Sequence, residues 1–369
     1  MAVYTQLAFG EIEALVAPLG LGRLIAAQGV AAGVENSTYF LDFATASGIA
    51  NTPDATDNAP AADAPVDSVR VDGAFIGAVS TATHGYVLTI AESLTRSDLE
   101  FIASLMDDLH ARALPVPAPV RAGPRSESPA AGEGVLMVHG KPALLVPRIA
   151  GTHPQALTPG LCGQLGSVLA KLHLATLSLD YTHTSHRSLE WVAATGKVLL
   201  PHLAPTERDL LNREIEHLAG FVSANTNLPR TIIHGDLFPD NVLLEEGNIV
   251  ALIDFFSAGM GYPLLDLAIV VNAWCHDEHG QLNTLNYNAL AGSYSAIRRP
   301  EDTEIANWGA LLRIAALRFW VSRLGEQLLA GPQTPRGRGK NPQPYRRLTL
   351  AHRDSPLPPP LDGKSVTEI

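Results

Sequence analysis

In "TQLAFGEIEALVAPLGLG" the apolar residues Ile12, Leu15 and Val16 fall on one helical face and Gly20 stands near the end, which predicts a short helix. "GRLIAAQGVAAGVENSTYFLDFA" reads as two strands joined by a glycine-containing turn. The pattern then fades. "TASGIANTPDATDNAPAADAPVDS" is rich in Ala, Asp, Pro, Asn and Thr and nearly empty of large apolar side chains. It buries too little to offset the entropy of ordering, so Thr45–Ser80 is expected to be a disordered insertion. Strand character returns in "VRVDGAFIGAVSTATHGYVLTIAES". "TRSDLEFIASLMDDLHARAL" has Leu99, Ile102, Leu105, Met106 and Leu109 on one face, an amphipathic helix with Ser97 as its expected cap. "LPVPAPV" is an extended connection, and "GVLMVHGKPALLVPRIAG" gives two more strands.

After Gly151 the texture turns helical. "TPGLCGQLGSVLAKLHLATL", "PTERDLLNREIEHLAGFVSAN", "LLDLAIVVNAWC", "LNYNALAGSYSAI" and "IANWGALLRIAALRFWVSRLGEQLLA" all read as helices. The expected organisation is a strand-rich lobe over 1–150, a helical lobe over 151–330, and a Pro- and Arg-rich tail over 331–369 that drapes or frays.

Composition narrows the class. Of 369 residues, 46% are hydrophobic, enough for a sizeable core, and the net charge of -11 argues against a nucleic-acid scaffold. Two cysteines, Cys162 and Cys275, imply neither a disulfide framework nor a structural zinc site. The N-terminus has no basic region leading into a long apolar run, so neither a signal peptide nor a membrane span is expected, and a cytoplasmic enzyme is the default.

The chemistry concentrates in "IIHGDLFPDNVLLEEGNIVALIDF", Ile232 to Phe255. Each polar residue alone fits ordinary turn chemistry. Together, His234, Asp236, Asn241 and Asp254 fit phosphoryl transfer from ATP. That reaction needs a carboxylate to orient the attacking hydroxyl and hard oxygen ligands to hold Mg²⁺ against the phosphates. The Glu-Gly-Asn turn predicts a hairpin that brings Asp254 back beside Asn241.

This constellation resembles the aminoglycoside phosphotransferase and choline kinase superfamily. "GVENSTYFL", "YVLTIAE", "LPVPAPV", "GKPALL", "HGDLFPDNVLL", "LIDFFSAG", "DLAIVVNAWC" and "ALRFWVSRL" narrow the resemblance to its homoserine kinases, over nearly the whole chain except Thr45–Ser80 and the last residues. The resemblance implies an α+β, two-lobed, protein-kinase-like fold. An N-terminal antiparallel sheet with one main helix would join a larger helical lobe, with ATP in the cleft. It implies conversion of ATP and L-homoserine to O-phospho-L-homoserine in threonine biosynthesis.

Carried over, Asp236 matches the catalytic base, and Asn241 and Asp254 the metal ligands. Gly33, Asn36 and Ser37 match the turn over the ATP phosphates, and Leu145 and Val146 the adenine-holding linker. Asp266 matches an Asp that braces the catalytic loop, where His234 is a supporting residue. Taken alone, "GVENS" serves a strand connection as readily as a phosphate cradle. Thr89 stands where protein kinases carry Lys, as in the resembled kinases, and leaves the cationic phosphate partner open. Glu92 is a functional carboxylate or a solvated strand end.

Homoserine offers a carboxylate, for which a buried guanidinium is the natural partner. Arg318, among apolar neighbours, is the candidate, with a structural ion pair between helices as its other reading. Asn272 and Trp274 are expected to line the same pocket, and His173 to be a packed core histidine. Two competing functions remain: a kinase for another small alcohol or amine (an aminoglycoside, choline or methylthioribose), and a pseudokinase, against which the intact Asp236, Asn241 and Asp254 argue. No nucleic-acid or membrane partner is expected.

Overall fold

The computed structural model describes residues 5–30, 35–44, 83–121, 134–329 and 340–359. The insertion expected at 45–80 lies outside them, as does Gly33.

The first helix, α1 (Phe9–Val16), buries Ile12 and Val16 against a five-stranded sheet. The strands are β1 (Arg23–Gly29), β2 (Ser37–Ala44), β3 (Thr83–Ile90), β4 (Leu136–Val138) and β5 (Lys141–Pro147). They are antiparallel, in the order β1-β2-β3-β5-β4. Alternation sets the buried face: Ser37, Tyr39, Leu41 and Phe43 of β2 point inward, where Leu88, Ile90 and Leu145 meet them.

Helix α2 (Arg96–Ala111) starts one turn feature earlier than expected. Thr95, not Ser97, is the cap: its hydroxyl accepts from the Asp98 N–H at 3.2 Å, while Asp98 accepts from the Thr95 N–H at 2.8 Å. The reciprocal pair outcompetes Ser97 because Asp98 lies at the right spacing from Thr95. The apolar face of α2 joins the hydrophobic cluster of the helical lobe, not that of the sheet.

That lobe contains α3 (Pro159–Leu177), α4 (Leu189–Leu199), α5 (Pro205–Ala224), α6 (Pro263–Trp274), α7 (Thr284–Ile297), α8 (Asp302–Ala306), α9 (Trp308–Leu329) and α10 (Gln343–Asp354). The expected single helix from Ile305 onward is broken at Asn307, so α8 and α9 are separate. The expected draping tail instead contributes α10, which buries Tyr345, Leu348, Thr349 and His352. Its apolar stripe was masked by the many arginines and prolines around it. Helices α3 and α7 cross closely at Gly166, where a Cβ would lie 2.2 Å from the Leu290 carbonyl oxygen. Among the described residues no helix is long and apolar enough to cross a membrane. Cys162 and Cys275 are free and buried.

Two short pairings carry the loops of interest. Strand β6 (Thr231–Ile233) pairs with β9 (Gly259–Gly261), and β7 (Val242–Glu245) forms a hairpin with β8 (Asn248–Leu252). The connection between lobes is pinned to this hairpin, for Thr152 and Leu244 exchange both backbone hydrogen bonds, at 2.9 and 2.8 Å. Gly151 makes the approach possible: with φ +146, a Cβ there would sit 2.9 Å from the Leu244 oxygen. The architecture is thus the two-lobed α+β fold expected.

Ala44 and Thr83 are paired across β2 and β3, so the chain leaves and re-enters the sheet at adjacent positions. A tight Asn-Gly hairpin turn in place of residues 45–82 is expected to preserve the fold, since loop closure changes by only about 0.6 kcal/mol per doubling of length. A thermal melt checks it. A melting temperature equal to or above that of the full chain is the expected result, and loss of soluble folded protein would contradict it.

Candidate active site

The site grows from the end of β6. There the chain turns sharply at Gly235, whose φ is +76 and whose missing Cβ would meet the Ser257 oxygen at 2.9 Å. Asp266, in the first turn of α6 and fully buried, accepts from the His234 N–H at 2.8 Å and the Gly235 N–H at 2.9 Å. His173 on α3 completes the set, its Nε2–H donating to Asp266 at 3.1 Å while its Nδ1 accepts from the Tyr294 hydroxyl at 2.8 Å. Burial alone would raise the Asp266 pKa, but the hydrogen bond from His173, with the Gly235 N–H, leaves it lowered. Burial keeps His173 neutral. The core histidine expected at His173 is therefore a specific brace.

His234 is also held neutral by burial. Its Nε2–H donates to the Ile253 carbonyl at 3.0 Å, and its Nδ1 accepts from the Asp236 N–H at 3.3 Å. This imidazole therefore links the loop carrying Asp236 to the end of β8, beside Asp254. Asn241 closes the loop, its Nδ2 donating to the Asp236 carbonyl at 2.7 Å and the Asp236 carboxylate at 3.2 Å. The Ile253 N–H donates to the Asn241 carbonyl at 3.0 Å, which fixes Asn241 against the strand leading to Asp254. The Asn241 amide oxygen accepts no hydrogen bond from the described residues.

Asp254 has φ +66, a left-handed conformation uncommon outside glycine, though Asp and Asn reach it more often than most residues. Its carboxylate faces open space, yet the surrounding protein, then Glu35, push its pKa up to about 6. Asp236 is more enclosed; burial first, then the neighbouring Asp254, push it up to about 8. The charge of Asp254, from a separate loop, thus reaches Asp236 and makes it harder to ionise. With the Asn241 amide oxygen, the Asp254 carboxylate forms a hard-oxygen set suited to a small divalent cation.

Three expected pocket residues are instead occupied within the protein. Arg318 on α9 donates from Nη1 to the Gly235 carbonyl at 2.6 Å and from Nε to the Arg187 carbonyl at 3.0 Å. Among the described residues it makes no ion pair between helices, and burial lowers its pKa to about 10. Trp274 donates its indole N–H to the Leu237 carbonyl at 2.9 Å. Asn272 donates to the Leu312 carbonyl at 3.1 Å and accepts from His352 at 2.7 Å. Asn272 and Trp274 are buried, so they do not line an open pocket. Arg318 and Trp274 brace the loop around Asp236; Asn272 joins α6 to α9 and α10.

In the N-terminal lobe the correction concerns Ser37 and Glu92. Ser37 is fully buried; its hydroxyl donates to Glu92 and accepts from the Thr5 N–H at 2.9 Å. Glu92 also accepts from the Thr5 hydroxyl and from Lys141, so it is no solvated strand end. The Ser37 side chain therefore fastens the sheet rather than facing the cleft. Asn36 remains half-buried at the start of β2. Leu145 and Val146 lie within β5, where the Leu145 carbonyl accepts from the Val120 N–H at 2.7 Å and Val146 pairs with Val87.

Sequence reasoning missed Glu35 and Arg187. Glu35, in the same quoted turn as Asn36, reaches across the cleft to Arg187, which precedes α4. The charge of Glu35 was visible, but nothing along the chain marks a partner so many residues away.

The chain is similar to known proteins along most of its length. The phosphotransferase enzyme family matches residues 77–299. A homoserine kinase of Pseudomonas aeruginosa is 34% identical, over 88% of this chain and 88% of its own length. Another, from Polaromonas naphthalenivorans, is 35% identical over 88% of this chain and 89% of its own length. Among solved structures, amicoumacin kinase hAmiN in complex with AMP-PNP, Ca²⁺ and Ami superposes with a TM-score of 0.62 at 12% identity, covering 98% of this chain and 100% of that one. That last likeness concerns the fold alone. By these matches the chain belongs to the phosphotransferase enzyme family and, within it, to the homoserine kinases.

Proposed function

We propose that this protein transfers the γ-phosphoryl group of ATP to the hydroxyl of L-homoserine, giving O-phospho-L-homoserine and ADP. The observation that carries the reading is the meeting of Asp236 and Asp254, with Asn241 bonded to the first and fixed beside the second. Relatives of the same name over nearly nine-tenths of the chain supply the acceptor.

In this reading Asp236 orients the homoserine hydroxyl and accepts its proton as the oxygen bonds to the γ-phosphorus and the bond to ADP breaks. Asn241 and Asp254 would hold Mg²⁺, which supplies charge neutralisation of the phosphates when bound. The donor set fits: one carboxylate and one amide oxygen leave room for phosphate oxygens and water. In this reading Asn36, just before β2, contacts the ATP phosphates. Arg318 keeps the Gly235 carbonyl, and so Asp236, in place. An ATP-consuming biosynthetic enzyme works in the cytoplasm, the compartment the sequence suggests.

Asp236→Asn is expected to lower kcat by about 10²–10⁴-fold with ATP binding nearly intact, since an amide of the same shape cannot accept the proton. Asp254→Ala should weaken magnesium-dependent nucleotide binding and turnover together. A coupled ADP-release assay offering homoserine, choline and an aminoglycoside tests the reading. Homoserine-dependent turnover supports it, and turnover with another acceptor alone rejects it.

The raised Asp236 pKa also has a sign in stability. Its folded value, about 8, exceeds the ordinary 3.8, so the folded protein binds this proton more tightly than the unfolded chain. Folding is therefore progressively disfavoured as pH rises through that window. Without ligands, the melting temperature of the wild type should fall relative to Asp236→Asn between pH 5 and pH 8, values chosen to sit inside the roughly 4–8 window. Parallel melting curves would show that Asp236 is not perturbed.

A further inference from the structure

With Arg318, Asn272 and Trp274 engaged inside the protein, the ionic groups of an amino-acid acceptor need other partners. The segment before α4 supplies one. The Arg187 carbonyl accepts from Arg318 Nε at 3.0 Å, and the same guanidinium donates to Gly235 at 2.6 Å. One rigid side chain therefore ties Arg187 to the residue preceding Asp236. Ser185 adds a second tie: its hydroxyl donates to the Ser257 carbonyl at 2.8 Å, near Asp254, and accepts from the Arg187 N–H at 3.1 Å. The Arg187 guanidinium lies over the Trp191 ring, 4.4 Å from its centroid. It donates to Glu35, which comes from the other lobe, and His186 stands 3.9 Å from the same carboxylate. The tie through Arg318 and Gly235 places the segment carrying Arg187 next to the Asp236 loop, and the charge of Glu35 raises the pKa of both Asp236 and Asp254.

We infer that the Glu35–Arg187 pair is the recognition site for the zwitterionic head of the acceptor: Arg187 takes the α-carboxylate and Glu35 the α-ammonium, and the substrate's two charges replace the pair's contact with itself. This deepens the homoserine reading and rests on it. A Glu–Arg pair carries the charges of a zwitterion in the opposite sense. Insertion of the substrate therefore leaves neither partner enclosed and uncompensated, the state that makes breaking such a pair costly. The planar guanidinium, already oriented by Trp191, matches a carboxylate with two parallel N–H groups. The short side chain of homoserine then directs its hydroxyl toward Asp236. Because Glu35 belongs to the turn beside Asn36, head-group binding also holds the N-terminal lobe over the site.

The test uses the full-length enzyme with homoserine, with aminopropanol, which lacks the carboxylate, and with γ-hydroxybutyrate, which lacks the ammonium, as acceptors or competitive inhibitors. Arg187→Met should raise the KM for homoserine about ten- to hundred-fold, the loss of a charge-assisted hydrogen bond, and leave the aminopropanol constant where it was. Glu35→Gln, nearly isosteric and on a turn, keeps the test decisive if Arg187→Met fails to fold. It should raise the KM for homoserine and not the γ-hydroxybutyrate constant. Equal changes for all three compounds would mean a simple latch between lobes and overturn the inference, as would an unchanged homoserine KM in folded variants. A wild type that phosphorylates some other alcohol but not homoserine would reject the functional reading itself, and the inference with it.

Discussion

The candidate active site depends on one buried carboxylate. Asp266 accepts hydrogen bonds from the His234 and Gly235 N–H groups and from His173. An enclosed carboxylate without donors is unstable by several kcal/mol, so the loop that supplies two of them cannot move away without stranding the charge. The same contact joins four elements. Asp266 belongs to α6, the donors to the end of β6 and to α3, and Tyr294 on α7 fixes the tautomer of His173. The close crossing of α3 and α7 at Gly166 keeps that histidine within reach.

Against this fixed frame, Asp236 and Asp254 are held in an arrangement they would not choose. Burial and mutual repulsion both raise the pKa of Asp236, and Asp254 adopts a left-handed backbone conformation. Strain of that kind persists where the surroundings over-determine it. Here the surroundings are specific. His234 bridges the Asp236 N–H and the Ile253 carbonyl, Asn241 ties the loop internally, and Arg318 and Trp274 hold the carbonyls of Gly235 and Leu237. These groups hold two acidic side chains in one site at the cost of raised pKa values.

Arg318 also extends the frame outward. Through the Arg187 carbonyl it reaches the guanidinium that meets Glu35 of the opposite lobe. Loop, helical lobe and sheet are thereby connected in a few contacts across the cleft. A second connection, the paired Thr152 and Leu244, fixes the linker on the β7–β8 hairpin. The lobes are thus held at the linker and touch again at the cleft mouth.

The sequence alone determined the local and periodic features. Alternation in "STYFLDFA", the helical stripe of α2 and the hairpin turn before Asp254 follow from side-chain geometry within a few residues. So does the spacing of His234, Asp236 and Asn241 on one loop. The stripe of α10 was legible in principle but diluted by Arg and Pro. The tertiary structure decided the partners of long polar side chains. The sequence marks Arg318 as unusual among its apolar neighbours and offers Asn272, Trp274, Ser37 and Glu92 only as candidates, and what each of the five bonds to lies far away in the chain. A guanidinium among apolar residues requires acceptors, but whether these are a substrate carboxylate or two backbone carbonyls depends on which loops pack beside it. The Glu35–Arg187 contact is the extreme case: two ordinary charged residues become a pair only because the fold closes one lobe over the other.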